Sequence, residues 1–109
     1  MTSQGFTAEN FNDEDGNPAS GYVDGTGFRI AWQNGPLFDA ETGTRKEPTG
    51  AFVEDVIAAA LQRIAYYQQG KFACEENRLA IEHLDTALEA LHDRTRDREA
   101  RGVEGTHIP

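Results

Sequence analysis

Two amphipathic stretches in the second half of the chain, joined by a very short connection, restrict the fold more than any other feature. Apolar residues recur with the helical period over residues 52–64 and again over residues 80–91. The connection at residues 69–71, Gln-Gly-Lys, leaves room only for a tight turn. Two helices joined so closely must run antiparallel, so residues 48–109 are predicted to form an αα-hairpin with a C-terminal tail.

The helix limits follow from capping signals. Pro48 and Thr49 are expected to open the first helix, with Thr49 as N-cap, and the helix is expected to end at Tyr66-Tyr67. The second helix is expected to run from about Ala73 to about Arg101. Its inward positions are predicted to be Ala80, Ile81, Leu84, Ala87, Leu88 and Leu91. The two stripes cannot both be buried by a hairpin alone, so the hairpin must pack on a sheet, on a second copy, or on both.

A strand pattern precedes the hairpin. Phe28, Ile30 and Trp32 alternate with more polar residues, which is typical of a half-buried strand. Tyr22-Val23 is its expected partner across a turn. Residues 21–47 are therefore predicted to be a small β region, with residues 38–49 a loop. The predicted fold class is α+β, a small N-terminal antiparallel sheet followed by a C-terminal antiparallel αα-hairpin.

Residues 1–20 are acidic and rich in turn-forming residues, with only Phe6 and Phe11 to anchor them. We expect an irregular leader with room for one short edge element. The length of 109 residues supports one domain overall.

Charge and cysteine usage exclude several classes of function. The net charge of −9 opposes binding to nucleic acid polymers and to anionic membranes. The single cysteine, Cys74, rules out an intrachain disulfide and favours a reducing compartment. Three histidines and one cysteine show no metal-ligand spacing, and no apolar run is long enough to span a membrane. We therefore expect a soluble cytosolic protein without metal or cofactor.

Four of the ten basic side chains are concentrated in residues 94–101, directly before a Gly-Val-Glu-Gly-Thr-His tail. Arg94, Arg98 and Arg101 lie on one helical row. Cations near a helix C-terminus can simply complement the helix dipole or pair with neighbouring carboxylates. Alternatively, the row holds phosphate oxygens, the backbone N–H groups at Gly102 and Gly105 approach the same anion, and Glu104 and Thr106 bind ribose hydroxyls.

Two residues beside the turn suggest a base-binding function. Asn77 falls on the inward face of the second helix, where an amide needs hydrogen-bond partners. It either ties the helix to the inter-helix loop or faces a cavity and reads the edge of a base or a ribose. Tyr67 either caps the core or offers a ring on which a base stacks.

Enzymatic groupings are scarce. The chain has no glycine-rich phosphate loop of Walker or Rossmann spacing, and no nucleophile or metal cluster accompanies its acidic residues. We predict no catalytic residues, which favours binding over turnover.

The second half of the chain resembles the helical-hairpin domain shared by phage anti-Thoeris and anti-CBASS sponges, over roughly residues 50–108. The residues that carry this resemblance are Gly50-Ala51-Phe52, Tyr67-Gln68, Phe72-Ala73-Cys74-Glu75-Glu76-Asn77, Leu79-Ala80-Ile81, Leu91, Arg94-Thr95-Arg96-Asp97-Arg98 and Arg101-Gly102-Val103-Glu104-Gly105-Thr106-His107. The expected sheet ahead of the hairpin is more similar to the anti-Thoeris branch.

The resemblance implies a non-enzymatic protein in the cytoplasm of an infected bacterium that sequesters cyclic nucleotide immune signals. The implied ligands are cyclic ADP-ribose isomers or cyclic di- and trinucleotides, and the implied assembly is a homo-oligomer whose pockets combine neighbouring chains. By the same resemblance, Tyr67 would stack on the base and Asn77 would read its edge. Arg94 and Arg98 would hold phosphates, Gly105 and Thr106 would contribute from the tail, and Arg45 is a further candidate. A slow hydrolase of such a ligand, or a phage structural or adaptor protein that docks an acidic partner, are the alternatives.

Overall fold

The computed structural model describes residues 5–39 and 41–109 and confirms the α+β class. An antiparallel sheet comes first and a helical hairpin follows. The elements are β1 (Phe6–Asn12), β2 (Pro18–Gly25), β3 (Phe28–Trp32), β4 (Phe38–Asp39), β5 (Thr44–Arg45), α1 (Val53–Tyr67) and α2 (Glu75–Ala100). Residues 1–4 of the predicted leader and Ala40 of the predicted β region lie outside the described residues.

The three-stranded sheet has the order β1-β2-β3, with both pairs antiparallel. The predicted pairing of Tyr22-Val23 with the Phe28–Trp32 strand is confirmed, since Val23 lies opposite Ile30. Beyond residue 5, the expected leader contains an edge element, the seven-residue strand Phe6–Asn12, and β2 begins within it at Pro18. No residue of β1 is buried, so backbone hydrogen bonds to β2 hold this strand in the sheet, together with the ring contacts of Phe6 with Phe28 and of Phe11 with Tyr22.

The segment expected to be a loop at residues 38–49 contains a second, two-stranded hairpin, β4–β5. Thr49 does not cap α1, which begins four residues later; its Oγ1 accepts a hydrogen bond from the Asn34 backbone N–H at 3.1 Å. Next to it, the 50–51 backbone approaches β3 so closely that a Cβ on Gly50 would lie 2.5 Å from the Trp32 carbonyl oxygen. Glycine at position 50 therefore allows the parallel bridge between Trp32 and Ala51.

Two compact units result. One contains the strands up to Phe52 together with Gly105–Pro109, and the other contains the hairpin from Val53 to Glu104. The last residues join the strand unit because the Phe38 N–H donates to the Gly105 carbonyl at 3.3 Å. The domain limits drawn from the sequence at residues 20 and 47 stay a prediction.

The hairpin buries its apolar faces only partly. The predicted inward positions of α2, from Ala80 to Leu91, are all half-buried, but Val53 and Ala60 of the apolar stretch at residues 52–64 are exposed. Among the described residues, no apolar side chain is fully buried. No helix in residues 5–39 and 41–109 has the length and hydropathy needed to cross a membrane.

Candidate ligand-binding site

A cavity of about 320 Å³ lies at the turn end of the hairpin, between the end of α1 and the start of α2. It is lined by Tyr67, Phe72, Cys74 and Asn77. The structure thus brings together Tyr67 and Asn77, the two base-binding candidates in the sequence, and adds Phe72 and Cys74 from the connecting turn. We call these four residues the turn pocket.

Asn77 forms a hydrogen bond to the inter-helix turn and also lines the turn pocket. Its Nδ2 donates a hydrogen bond to the Phe72 carbonyl at 3.3 Å, which confirms the predicted tie to the inter-helix loop. One hydrogen of Nδ2 and the whole Oδ1 acceptor have no partner among the described residues. A donor and an acceptor on one rigid amide form the pattern that reads an adenine edge.

The turn is held by a residue that the sequence analysis did not single out. Gln68 donates through Nε2 to the Cys74 carbonyl at 3.1 Å and accepts from the Cys74 N–H through Oε1 at 2.9 Å. Cys74, the N-cap of α2, makes no side-chain capping bond, and the Gln68 amide instead bonds the N–H and the carbonyl of this residue where the chain enters the helix. The sequence signal for this function was the position of the amide, directly after the last residue of α1 and two residues before Gly70.

Tyr67 offers a ring to solvent beside a cation. The residue is 42% exposed, and the ring of Tyr66 lies 6.1 Å from it, centroid to centroid. The Arg63 Nε donates to the Tyr67 hydroxyl at 3.2 Å, and its Cζ lies 5.1 Å from the Tyr67 ring centroid. The exposed ring can stack on a ligand base. Because its hydroxyl is already held by Arg63, the side chain loses little rotamer entropy when the base binds.

At the other end of the hairpin, each of the four arginines in residues 94–101 contacts a carboxylate. Arg94 lies 3.5 Å from Glu54 on α1, and Arg101 lies 3.1 Å from Asp97. The Arg96 guanidinium pairs with Asp93. These pairs agree with the interpretation of the row as a solvated charge face, and they leave the proposed phosphate contacts untested.

Arg98 differs from its neighbours in burial. Its side chain is only 17% exposed, whereas that of Arg94 is 64% exposed. Its guanidinium donates to the Val103 carbonyl at 2.8 Å and to Glu104 at 3.1 Å. Arg98 therefore fixes the backbone that leaves α2, a structural function that the sequence did not indicate.

Gly105 and Thr106 belong to the strand unit and not to the hairpin unit. Gly105 has φ +80, and an added Cβ would lie 3.3 Å from the Phe38 Cβ, so a side chain there would be strained and crowded. Thr106 Oγ1 accepts from the Ile108 N–H at 3.2 Å. Arg45 lies on β5 opposite Phe38.

The next residue of the tail reaches the β1–β2 turn. His107 Nδ1 lies 3.3 Å from Asn17 Nδ2 and 4.0 Å from Asp13 Oδ2. Hydrogen bonding from the Asn17 backbone N–H is the main cause that lowers the pKa of Asp13 below its ordinary value, and the nearby His107 adds to this. This cluster anchors the end of the chain to the strand unit.

The turn pocket and the arginine row lie far apart within one chain. Asn77 and Arg94 are on the same continuous helix, α2, and at 1.5 Å per residue they are about 26 Å apart along its axis. One cyclised dinucleotide cannot span this distance. Within a single hairpin, Tyr67 and Asn77 therefore do not share a ligand with Arg94.

The fold and the pocket define a small α+β protein built on a helical hairpin, with an aromatic and amide pocket at its turn. Residues 27–96 match the family described as the Acb2/Tad1 hairpin domain, and the chain belongs to that family. A curated relative, Thoeris anti-defense 1 of Bacillus phage SBSphiJ7, is 42% identical over 78 residues. The matched region covers 72% of this chain and 51% of the relative, so the chain spans about half the length of that protein.

Proposed function

We propose that this protein binds a cyclic nucleotide immune signal and sequesters it without cleavage, as a phage protein directed against the Thoeris defence of its bacterial host. The observation that carries the proposal is the meeting of Tyr67 and Asn77 in one cavity large enough for a base. Membership of the Acb2/Tad1 hairpin domain family and the name of the phage relative support the same function.

The chemistry of the turn pocket favours a purine. An exposed tyrosine ring stacks on a base with about 1–3 kcal/mol, and the amide of Asn77 adds a donor and an acceptor for the base edge. In the described part of the chain, no group of three or more histidine, cysteine or acidic side chains could hold a metal. Stacking and edge recognition are binding contacts, so binding is the activity that these two side chains support.

A complete site needs a second copy of the chain. The ligand carries phosphates, and the arginines assigned to them by resemblance lie about 26 Å along α2 from Asn77. In a homo-oligomer, Tyr67 and Asn77 of one chain and Arg94 of a neighbour can meet at the same ligand. Partly exposed apolar faces on both helices support such an assembly, because association would remove them from water.

Calorimetric titration of the assembled protein with cyclic ADP-ribose, cyclic di-AMP and cyclic tri-AMP tests the proposal. We expect one of these classes to release or absorb heat at a fixed stoichiometry, and Asn77→Ala to weaken that binding. Absence of binding in all three titrations would refute the proposed function.

The fate of the ligand separates sequestration from hydrolysis. After prolonged incubation the complex is denatured and the released ligand is analysed by chromatography. Full recovery of the intact compound supports sequestration, whereas steady conversion to a new product identifies the slow hydrolase.

A further inference from the structure

Arg63 differs from the other arginines of the hairpin in its partners. Arg78, Arg94, Arg96, Arg98 and Arg101 each contact at least one carboxylate. Arg63 contacts none among the described residues, although acidic side chains outnumber basic ones in this chain by 19 to 10. Its contacts are the rings of Tyr66 and Tyr67, at 5.0 and 5.1 Å, and the Tyr67 hydroxyl.

The sequence of α1 explains this difference. Side chains three and four positions apart on a helix are neighbours, and these positions around Arg63 are occupied by Ala59, Ala60, Tyr66 and Tyr67. At the corresponding positions, Arg78 has Glu75 and Glu82, which hold its guanidinium on both sides. The helix thus places small and aromatic residues, and no carboxylate, at the four positions next to Arg63.

The guanidinium of Arg63 lies next to the turn pocket. Only its Nε hydrogen is used, in the 3.2 Å bond to the Tyr67 hydroxyl, and Tyr67 lines the cavity. Both Nη groups lack an acceptor in the described part of the chain. Two adjacent Nη groups are the fork that binds phosphate oxygens in pairs, and the tyrosine rings hold the fork in place before any ligand arrives.

We propose that Arg63 binds a phosphate of the nucleotide whose base stacks on Tyr67 and is read by Asn77. The inference rests on the proposed function and assigns a phosphate contact to the same chain that binds the base. Lys71 is the other cation at the turn, but its Nζ lies over Phe72 at 5.5 Å and presents a point charge without a fork. The arginine row of a neighbouring copy would then contact other phosphate oxygens of the same ligand.

Matched variants test this assignment. Arg63→Gln is compared with Arg78→Gln, which removes the same charge from the same end of the hairpin. Calorimetry with cyclic ADP-ribose, cyclic di-AMP and cyclic tri-AMP, each at two NaCl concentrations, gives the affinity and its salt dependence. We expect Arg63→Gln to weaken binding about tenfold or more and to reduce the salt dependence, with Arg78→Gln within about twofold of the natural chain. Arg63→Lys should retain part of the affinity, because it keeps the charge and loses the fork.

Two further results would overturn the assignment while the proposed function stands. The first is equal affinity of the natural chain and Arg63→Gln, or an equal loss in Arg78→Gln. The second concerns Tyr67→Phe, which keeps the ring and removes the hydroxyl that Arg63 contacts. If Tyr67→Phe lost as much affinity as Arg63→Gln, Arg63 would act only by orienting Tyr67. A natural chain that binds none of the three probes would remove the proposed function and this assignment together. Circular dichroism of each variant confirms that the helices are retained.

Discussion

Mixing two variants that are each defective tests whether one ligand is held by two chains. Tyr67→Ala removes the stacking ring, which costs about 1–3 kcal/mol of binding. Arg94→Ala removes a charged hydrogen-bond donor, which costs about 1.5–3 kcal/mol. Either loss weakens the affinity by roughly fivefold to over a hundredfold, so each variant alone should show no sites of natural affinity.

The expected recovery follows from the distance along α2. Because Asn77 and Arg94 of one chain are about 26 Å apart, the proposed site takes its pocket half from one chain and its arginine half from another. The two variants are mixed in equal parts and refolded together. A site has an unmutated pocket half when that half comes from an Arg94→Ala chain, and an unmutated arginine half when that half comes from a Tyr67→Ala chain. Each has even odds, so about one quarter of the sites regain natural affinity.

Calorimetric stoichiometry measures this fraction directly. The control is a mixture of Tyr67→Ala with Asn77→Ala, whose defects lie in the same half of the site, so no combination of chains restores it. If the Tyr67→Ala and Arg94→Ala mixture recovered no more high-affinity sites than the control, the two-chain site would be wrong.

Three further perturbations address the residues that support the site. Arg98→Ala should lower the free energy of unfolding by about 1.5–3 kcal/mol in urea titrations, because a mostly buried guanidinium bonds a backbone carbonyl. Arg94→Ala, with an exposed pair, should cost about 0–1 kcal/mol, and equal losses would contradict the distinction. Gln68→Ala removes two bonds to the inter-helix turn, each worth about 0.5–1.5 kcal/mol, and should weaken ligand binding as well as stability; retained affinity would separate the turn from the site. Asp13→Ala should lower Tm at neutral pH. The folded-state pKa of Asp13 lies below its ordinary value, so its stabilisation is present above the unfolded-state pKa and is lost as the pH falls through the folded one. A Tm difference that persisted unchanged at about pH 2 would exclude this cause.

The C-terminal arginines show how one sequence pattern serves different purposes. Arg94 and Arg98 share a helical row, yet one is exposed near the first turn of α1 and the other is enclosed by the tail. Of these two residues, only Arg94 lies at the surface, where it could replace its contact with the Glu54 carboxylate by a contact with a ligand phosphate at low cost. A loss of affinity in Arg98→Ala would need a parallel stability measurement before it indicated a phosphate contact.

The sequence by itself determined the hairpin. Helical periodicity and a three-residue connection are local properties, and they specify two antiparallel helices without knowledge of the rest of the chain. They also placed Tyr67 and Asn77 on either side of that connection, close enough to share a pocket. The Phe28–Trp32 strand was predicted for the same reason, since alternation of side chains is a local pattern.

The tertiary structure alone decided the remaining features, because they depend on partners distant in sequence. The edge strand β1 has no buried residue, and its structure comes from backbone pairing with β2 and from ring contacts to β2 and β3. Thr49 has the residue type of an N-cap, yet its hydroxyl is used by Asn34 across the chain. The same holds for function: Val103 and Glu104 lie beyond the end of α2, where helical periodicity no longer applies, so only the fold shows that they contact the Arg98 guanidinium. Periodicity shows which residues share a face of a helix, whereas only the fold shows which charges already have a partner.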